Sequence, residues 1–278
     1  MGEHGNGTVQ EFMHRYLEVV PQDTTAAATA ERMGVRRIGC LLVESDDPKR
    51  GPCGILTETD LVRKVLAQGL DPTVTTVDRV MVTPILTIAA DRSMLDASQL
   101  MESNHVRHLC VVEAGEIVGI RSVRDLVRSF EDAESGPICE LDKVYRPLSV
   151  LMATTLATIH SEASLLAAAQ LMREKRIGSL LTIEAGEIVG IVTERDLVRK
   201  GLASNRDAGS THVSAVMSSP LLSIDVNRTI RDASKVMADQ GVRHLTVTEN
   251  GEIVGVLSVR DLVKMVSVRD RPRFLSKT

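Results

Sequence analysis

Aromatic side chains are almost missing from this 278-residue chain, which has no Trp, two Tyr and three Phe. Its cores must therefore be aliphatic, and a planar ligand would lie against aliphatic strand residues rather than stack on rings. An excess of one charge is missing too. Lys and Arg number 33 against 37 Asp and Glu, giving a net charge of −4 and a pI near 6.0. That balance gives no electrostatic footing for a nucleic acid or a membrane surface. No apolar run approaches the roughly 18 residues of a membrane span, and no signal peptide is visible, so a cytoplasmic location is expected. The four cysteines (Cys40, Cys53, Cys110, Cys139) form no CxxC and no metal-ligand spacing; buried free thiols in a reducing compartment are expected. The Met-Gly start has Asn6 where a myristoylation signal needs Ser or Thr. Residues 1–9 read as a flexible leader.

What the chain does have is one phrase, four times over: GILTETDLV (54–62), GIRSVRDLV (119–127), GIVTERDLV (190–198) and GVLSVRDLV (255–263). A supersecondary unit that recurs in this way marks a repeat architecture. From Asp60 to Asp125 is 65 residues, from Asp125 to Asp196 is 71, and from Asp196 to Asp261 is 65 again. Two pairs joined by a linker fit those gaps. The second and fourth repeats agree at 17 of 25 positions over 106–130 against 242–266. The first and third share an Arg-Ile-Gly run (37–39, 176–178) and a Thr in the phrase. The order is A-B-A′-B′, a duplicated pair.

The second repeat shows the elements most clearly. Val77–Met81 is a short helical lead, and Pro84 turns the residue before it toward an extended backbone. A strand is predicted over 85–88, then a helix over 95–103 with Leu95, Ser98, Leu100 and Met101 near helical spacing. A strand at 108–112, a tight turn at Ala114-Gly115, a strand at 117–122 and a helix over 125–129 complete the unit. The fourth repeat has Asn250-Gly251 at that turn, a strong hairpin signal. The fold class is mixed α and β, strand–helix–strand–strand–helix. About three extra residues in the first repeat fall in the hairpin loop near Asp46–Pro52. A three-stranded sheet of this size cannot bury both faces alone, so repeats should pack in pairs.

This unit, its G-h-x-[ST]-x-x-D phrase and its pairing resemble the cystathionine β-synthase (CBS) domain family, whose paired repeats are called Bateman modules. The resemblance covers about residues 10–268. It implies module 1 over 10–131 (repeats 10–70 and 77–131), a linker at 132–147, module 2 over 148–268 (repeats 148–203 and 213–268) and a tail at 269–278. Two such modules are expected to pack as a disc.

The phrase admits two accounts. Ser122-x-x-Asp125 is a helix cap that satisfies free amides by itself. The same corner can hold a ligand, because a helix start favours phosphate and a carboxylate accepts hydrogen bonds from ribose hydroxyls. In the family that this chain resembles, the Ser or Thr lies near phosphate and the Asp holds the ribose of an adenine nucleotide. Those positions here are Thr57 and Asp60, Ser122 and Asp125, Thr193 and Asp196, and Ser258 and Asp261. Arg124, Arg195 and Arg260 precede the Asp in three repeats, where capping needs no cation and a guanidinium suits phosphate; the first repeat has Thr59. Arg107-His108 and Arg243-His244 enter the central strand only in the B-type repeats, where a polyphosphate contact is expected. Partly charged imidazoles would strengthen that contact in mild acid. Ile120, Val192 and Leu257 are the candidate lining for a base. The Gly opening each phrase allows close approach of a backbone or ligand. Tyr16, aligned with Pro84 and Pro220, is expected in the core.

No nucleophile–base pair, metal cluster or P-loop is present, and no added segment is long enough for a catalytic domain. The expectation is a non-enzymatic regulatory protein binding AMP, ADP or ATP, which an ATP ligand could accompany with Mg. Its partners would be that nucleotide and an unidentified regulated protein, with a homodimer also open. An S-adenosylmethionine or cyclic-dinucleotide sensor and a ligand-free interaction scaffold are the alternatives.

Overall fold

The computed structural model describes residues 8–47, 51–123, 125 and 148–263. Outside that range lie most of the expected leader, residues 48–50 of the inserted loop, Arg124, the predicted helix beyond Asp125, the linker with Cys139, and the tail. Four three-stranded sheets account for the strands. They are Val19–Val20 (β1), Cys40–Val43 (β2) and Gly54–Thr57 (β3); Thr87–Ala89 (β4), His108–Glu113 (β5) and Glu116–Ser122 (β6); Thr158–His160 (β7), Ser179–Glu184 (β8) and Glu187–Thr193 (β9); and Ser223–Asp225 (β10), His244–Glu249 (β11) and Glu252–Ser258 (β12). In each sheet the first strand runs parallel to the second and the second antiparallel to the third. Three of the hairpins turn on two residues with positive φ, such as Asn250 at 52° and Gly251 at 88°. Such a turn matches the strand twist, and it is what the Asn-Gly pair predicts.

One helix follows the first strand of every repeat, and all four bury the same pattern. Ala26, Thr29, Ala30 and Met33 lie inward on helix Ala26–Arg36; Met94, Ala97, Ser98 and Met101 on Met94–Ser103. Leu165, Ala168, Ala169 and Met172 lie inward on Leu165–Lys175, and Ile230, Ala233, Ser234 and Met237 on Ile230–Asp239. The spacing i, i+3, i+4, i+7 gives one apolar stripe, and its two small residues let another backbone come close. Leu95 and Leu100, expected on the buried face, are only partly buried at its margin. Thr25, Ser93, Ser164 and Thr229 cap these helices, each side chain accepting an amide at 3.0–3.3 Å.

The chain divides into two compact units: residues 1–16, 86–155 and 222–278 in one, 17–85 and 156–221 in the other. The first joins the B-type repeats around one aliphatic core and the second joins the A-type repeats around another. Like therefore packs with like. The short segment that leads into each repeat belongs to the other unit. His14 pairs with Ile120, Val82 with Ile55, Ala153 with Val256 and Ser218 with Ile191. Sequence neighbours thus exchange leaders, the first repeat with the second and the third with the fourth.

Candidate functional site

At the end of each hairpin the phrase turns from strand to helix, and its Ser or Thr and its Asp close on each other. The amide and hydroxyl of Thr57 donate to Asp60 Oδ2 at 3.0 and 2.6 Å, and the Asp60 amide donates back to Thr57 Oγ1 at 3.3 Å. Thr193 and Asp196 repeat this at 3.0, 2.6 and 3.2 Å. The Ser122 amide donates to Asp125 Oδ2 at 3.1 Å and the Ser258 amide to Asp261 Oδ2 at 3.0 Å, with both serine hydroxyls on the same carboxylates. At Thr57 and Thr193 these bonds make complete capping boxes, in which the side chains satisfy amides that a helix start leaves over. The cap uses Oδ2 of each Asp, so chemistry beyond capping has to use Oδ1.

What meets Oδ1 differs between repeats. Lys64 Nζ lies 3.0 Å from Asp60 Oδ1, and Lys200 Nζ lies 2.8 Å from Asp196 Oδ1. At Asp125 the leader supplies His14, whose Nε2 is 3.1 Å from Oδ1. Burial pushes the Asp125 carboxyl up, but hydrogen bonds from His14 and Ser122 and the charges of His14 and Arg121 outweigh it and hold the group at about 2.

The Arg-His pairs lie at this same corner. In the β5–β6 ladder His108 is directly opposite Ser122, and in β11–β12 His244 is opposite Ser258. The Arg107 carbonyl accepts the Val123 amide and the Arg243 carbonyl the Val259 amide, each at 3.0 Å. Strand register therefore brings the two residue sets together, and Arg107, His108, Arg243, His244 and Arg260 are all half-buried. Arg195 is placed differently. Its Nε lies 3.8 Å from the Glu58 carboxylate of the first repeat, a contact that its spacing before Asp196 did not announce.

Glu58 belongs to a charged cluster that the sequence reading missed. It is 1% exposed and meets Arg199 Nε at 3.1 Å; Arg199 also donates to the Ile38 carbonyl at 3.0 Å. Its counterpart Glu194, 3% exposed, meets Arg63 at 3.4 Å and accepts from the Thr59 hydroxyl at 2.8 Å. A signal was available, since the A-type phrases carry Glu where the B-type carry Val123 and Val259. Arg121 was missed as well. It stands where the other phrases have Leu56, Val192 and Leu257, and it is 2% exposed. Its guanidinium donates to the Asp125 carbonyl at 2.9 Å and lies 5.4 Å from the centre of the Phe12 ring. Desolvation lowers it to about 10 against the opposing pull of Asp125.

Several expectations are corrected. Val192 and Leu257 are fully buried in the two cores and line no slot; strand alternation leaves the neighbouring Ile191 and Val256 less buried, while Ile120 is itself buried. Tyr16 is 60% exposed rather than in the core, at the point where the chain passes from one unit to the other. The close approach at the phrase glycines is made by leader methionines. A Cβ on Gly119 would lie 2.5 Å from Met13 Sδ and 3.0 Å from the His14 carbonyl, and Met81, Met152 and Met217 crowd Gly54, Gly255 and Gly190 in the same way. Among the cysteines, Cys40 and Cys110 are buried, with burial pushing the Cys110 thiol up to about 12, but Cys53 is half-buried and donates to the Glu44 carbonyl. Among the described residues no helix is long and apolar enough to cross a membrane, and no group of three His, Cys, Asp or Glu could hold a metal ion.

Comparison with known proteins agrees with this architecture. The CBS domain-containing protein CBSCBSPB3 of Arabidopsis thaliana is 27% identical over 279 residues, covering 88% of this chain and 50% of that protein. YhcV of Bacillus subtilis, also described as CBS domain-containing, is 35% identical over 111 residues, covering 40% of this chain and 79% of its own. The chain spans about half the length of the first curated relatives it matches. Among solved structures, a Methanocaldococcus jannaschii protein described as a candidate archaeal homologue of g-AMPK superposes with a TM-score of 0.75 at 15% identity. That match covers 93% of this chain and 99% of the other. The CBS domain profile itself matches residues 9–67, 77–132, 148–203 and 213–268, so this chain belongs to the CBS domain family and carries four of its repeats.

Proposed function

We propose that this chain is a regulatory protein that binds an adenine nucleotide (AMP, ADP or ATP) and changes conformation for a protein partner. The observation that carries the reading is the corner of the B-type repeats. There a capped carboxylate stands beside an Arg-His pair whose His strand register sets opposite the capping serine. A carboxylate accepts hydrogen bonds from vicinal ribose hydroxyls, and guanidiniums accept the charge of phosphate. Arg107, Arg243 and Arg260 supply that charge near Asp125 and Asp261. A nucleotide that draws these cations inward would favour one arrangement of the repeats, which a partner could read.

Calorimetric titration of the full chain with AMP, ADP and ATP tests this reading. Saturable heat is expected with at least one nucleotide, and it should fall in Asp125→Ala and Asp261→Ala. Competition with S-adenosylmethionine and a cyclic dinucleotide separates the other adenosyl ligands. No heat and no thermal shift up to millimolar nucleotide would leave a well-capped scaffold in its place.

A further inference from the structure

The two A-type corners are built alike around their carboxylates. Lys64 Nζ donates to Asp60 Oδ1 at 3.0 Å and to the Val80 and Met81 carbonyls at 2.7 and 3.4 Å. Lys200 Nζ donates to Asp196 Oδ1 at 2.8 Å and to the Val216 and Met217 carbonyls at 2.8 and 3.5 Å. Oδ2 of each Asp is taken by the cap. In each corner one leader residue makes paired backbone bonds to the strand that opens the phrase: Val82 with Ile55 at 2.8 and 3.1 Å, Ser218 with Ile191 at 2.8 and 3.0 Å. The backbone is the same and the side chain is not. Ser218 Oγ lies 3.2 Å from Lys200 Nζ and 3.4 Å from Asp196 Oδ1, whereas Val82 brings no polar side-chain atom to the same register.

That hydroxyl changes what opening the carboxylate costs. An ammonium has three protons to give, and a hydroxyl both donates and accepts. When a ligand takes Asp196 Oδ1, Lys200 keeps three acceptors: the two leader carbonyls and Ser218 Oγ. The serine proton can then pass from the carboxylate to the ligand. When a ligand takes Asp60 Oδ1, Lys64 keeps two carbonyls and its third proton is left to water. Water reaches both lysines, whose side chains are 36% and 45% exposed, so the difference is one of degree. We infer that Ser218 is the specificity-determining residue of the A-type unit, making the third repeat rather than the first the one whose carboxylate takes a ribose. This rests on the nucleotide reading above.

The test is amide exchange on the full chain, titrated with AMP and separately with ATP, and read over residues 190–200 and 54–64. In the wild type, nucleotide should slow exchange over 190–200 at a lower concentration than over 54–64. Ser218→Val copies the side chain of the first repeat and should raise the concentration for half-protection of 190–200 by about threefold to tenfold, the worth of one hydrogen bond. Ser218→Thr keeps the hydroxyl and should bind as the wild type does. Val82→Ser should lower the concentration needed at 54–64, a gain that a merely structural serine would not give. Exchange of the Ser218 and Ile191 amides without nucleotide reports whether the leader bridge is intact in each variant. Half-protection of 54–64 at an equal or lower concentration in the wild type would overturn the inference. So would unchanged binding in Ser218→Val, or protection confined to the phrases at 119–123 and 255–263; in each of these cases nucleotide binding itself stands. With no protection in any repeat, the functional reading falls and the inference with it.

Discussion

Removing one guanidinium from the buried Glu58 cluster should cost the A-type unit a large part of its stability. Glu58 is 1% exposed, with Arg199 Nε at 3.1 Å and Arg195 Nε at 3.8 Å. At an effective dielectric near 20, a pair at the shorter distance is worth roughly 5 kcal/mol before desolvation is subtracted. Deleting one partner of a buried pair typically costs about 3–5 kcal/mol, because the remaining charge is left uncompensated. Arg199→Leu leaves Arg195 in reach, so the lower end, about 3 kcal/mol, is expected. Glu58→Val alone should cost less, since the guanidiniums of Arg195 and Arg199 keep about a fifth of their surface in water. In the double variant most of the loss should return, for Val is what the B-type phrases carry at this place, buried as Val123 and Val259. Urea titration read through amide exchange over residues 58–68 reports on this unit directly. A cost below about 1 kcal/mol for Arg199→Leu, or single costs that add within about 0.5 kcal/mol in the double variant, would refute the argument.

Two further perturbations probe the leaders and the carboxylates. A Cβ at Gly190 would lie 2.9 Å from both Met217 Sδ and the Ser218 carbonyl, so Gly190→Ala should destabilise by about 1–3 kcal/mol through overpacking and expose the 213–218 leader to limited proteolysis. A folded carboxyl held at about 2 against an ordinary 3.8 contributes stability that is fully present above the higher value and lost as pH falls through the lower. For Asp125 that is about 2 kcal/mol, and an NMR titration of its carboxyl should move back toward the ordinary range in His14→Ala.

The architecture was legible because the phrase combines strand alternation, a helix cap and a fixed spacing, and each of these is a local property. Ser122 and Asp125 can be read from four letters, since a cap is made by neighbours in the chain. The Glu58 cluster was harder, because its ion pairs join residues 141 apart, Glu58 to Arg199. Only the comparison of Glu58 and Glu194 with Val123 and Val259 could have marked it. Tyr16 was misplaced because an alignment of repeats assumes that each leader serves its own repeat, whereas the leaders are exchanged. Val192 and Leu257 were assigned to a ligand slot without following alternation along the strand, which turns them into the core. The methionine that fills each glycine notch stands in plain view at Met13, Met81, Met152 and Met217, but its partner lies in the neighbouring repeat.

That exchange gives the carboxylates a mechanical consequence. Met13 sits against Gly119 and the next residue, His14, holds Asp125; Lys64 and Lys200 bind Asp60 and Asp196 to the leaders at Val80 and Val216. Each of these three Asp side chains is therefore joined to a segment that enters its unit from the adjoining repeat. A ligand competing for Oδ1 acts on leader docking as well as on its own site, and linkage requires docking to act on the ligand by the same free energy.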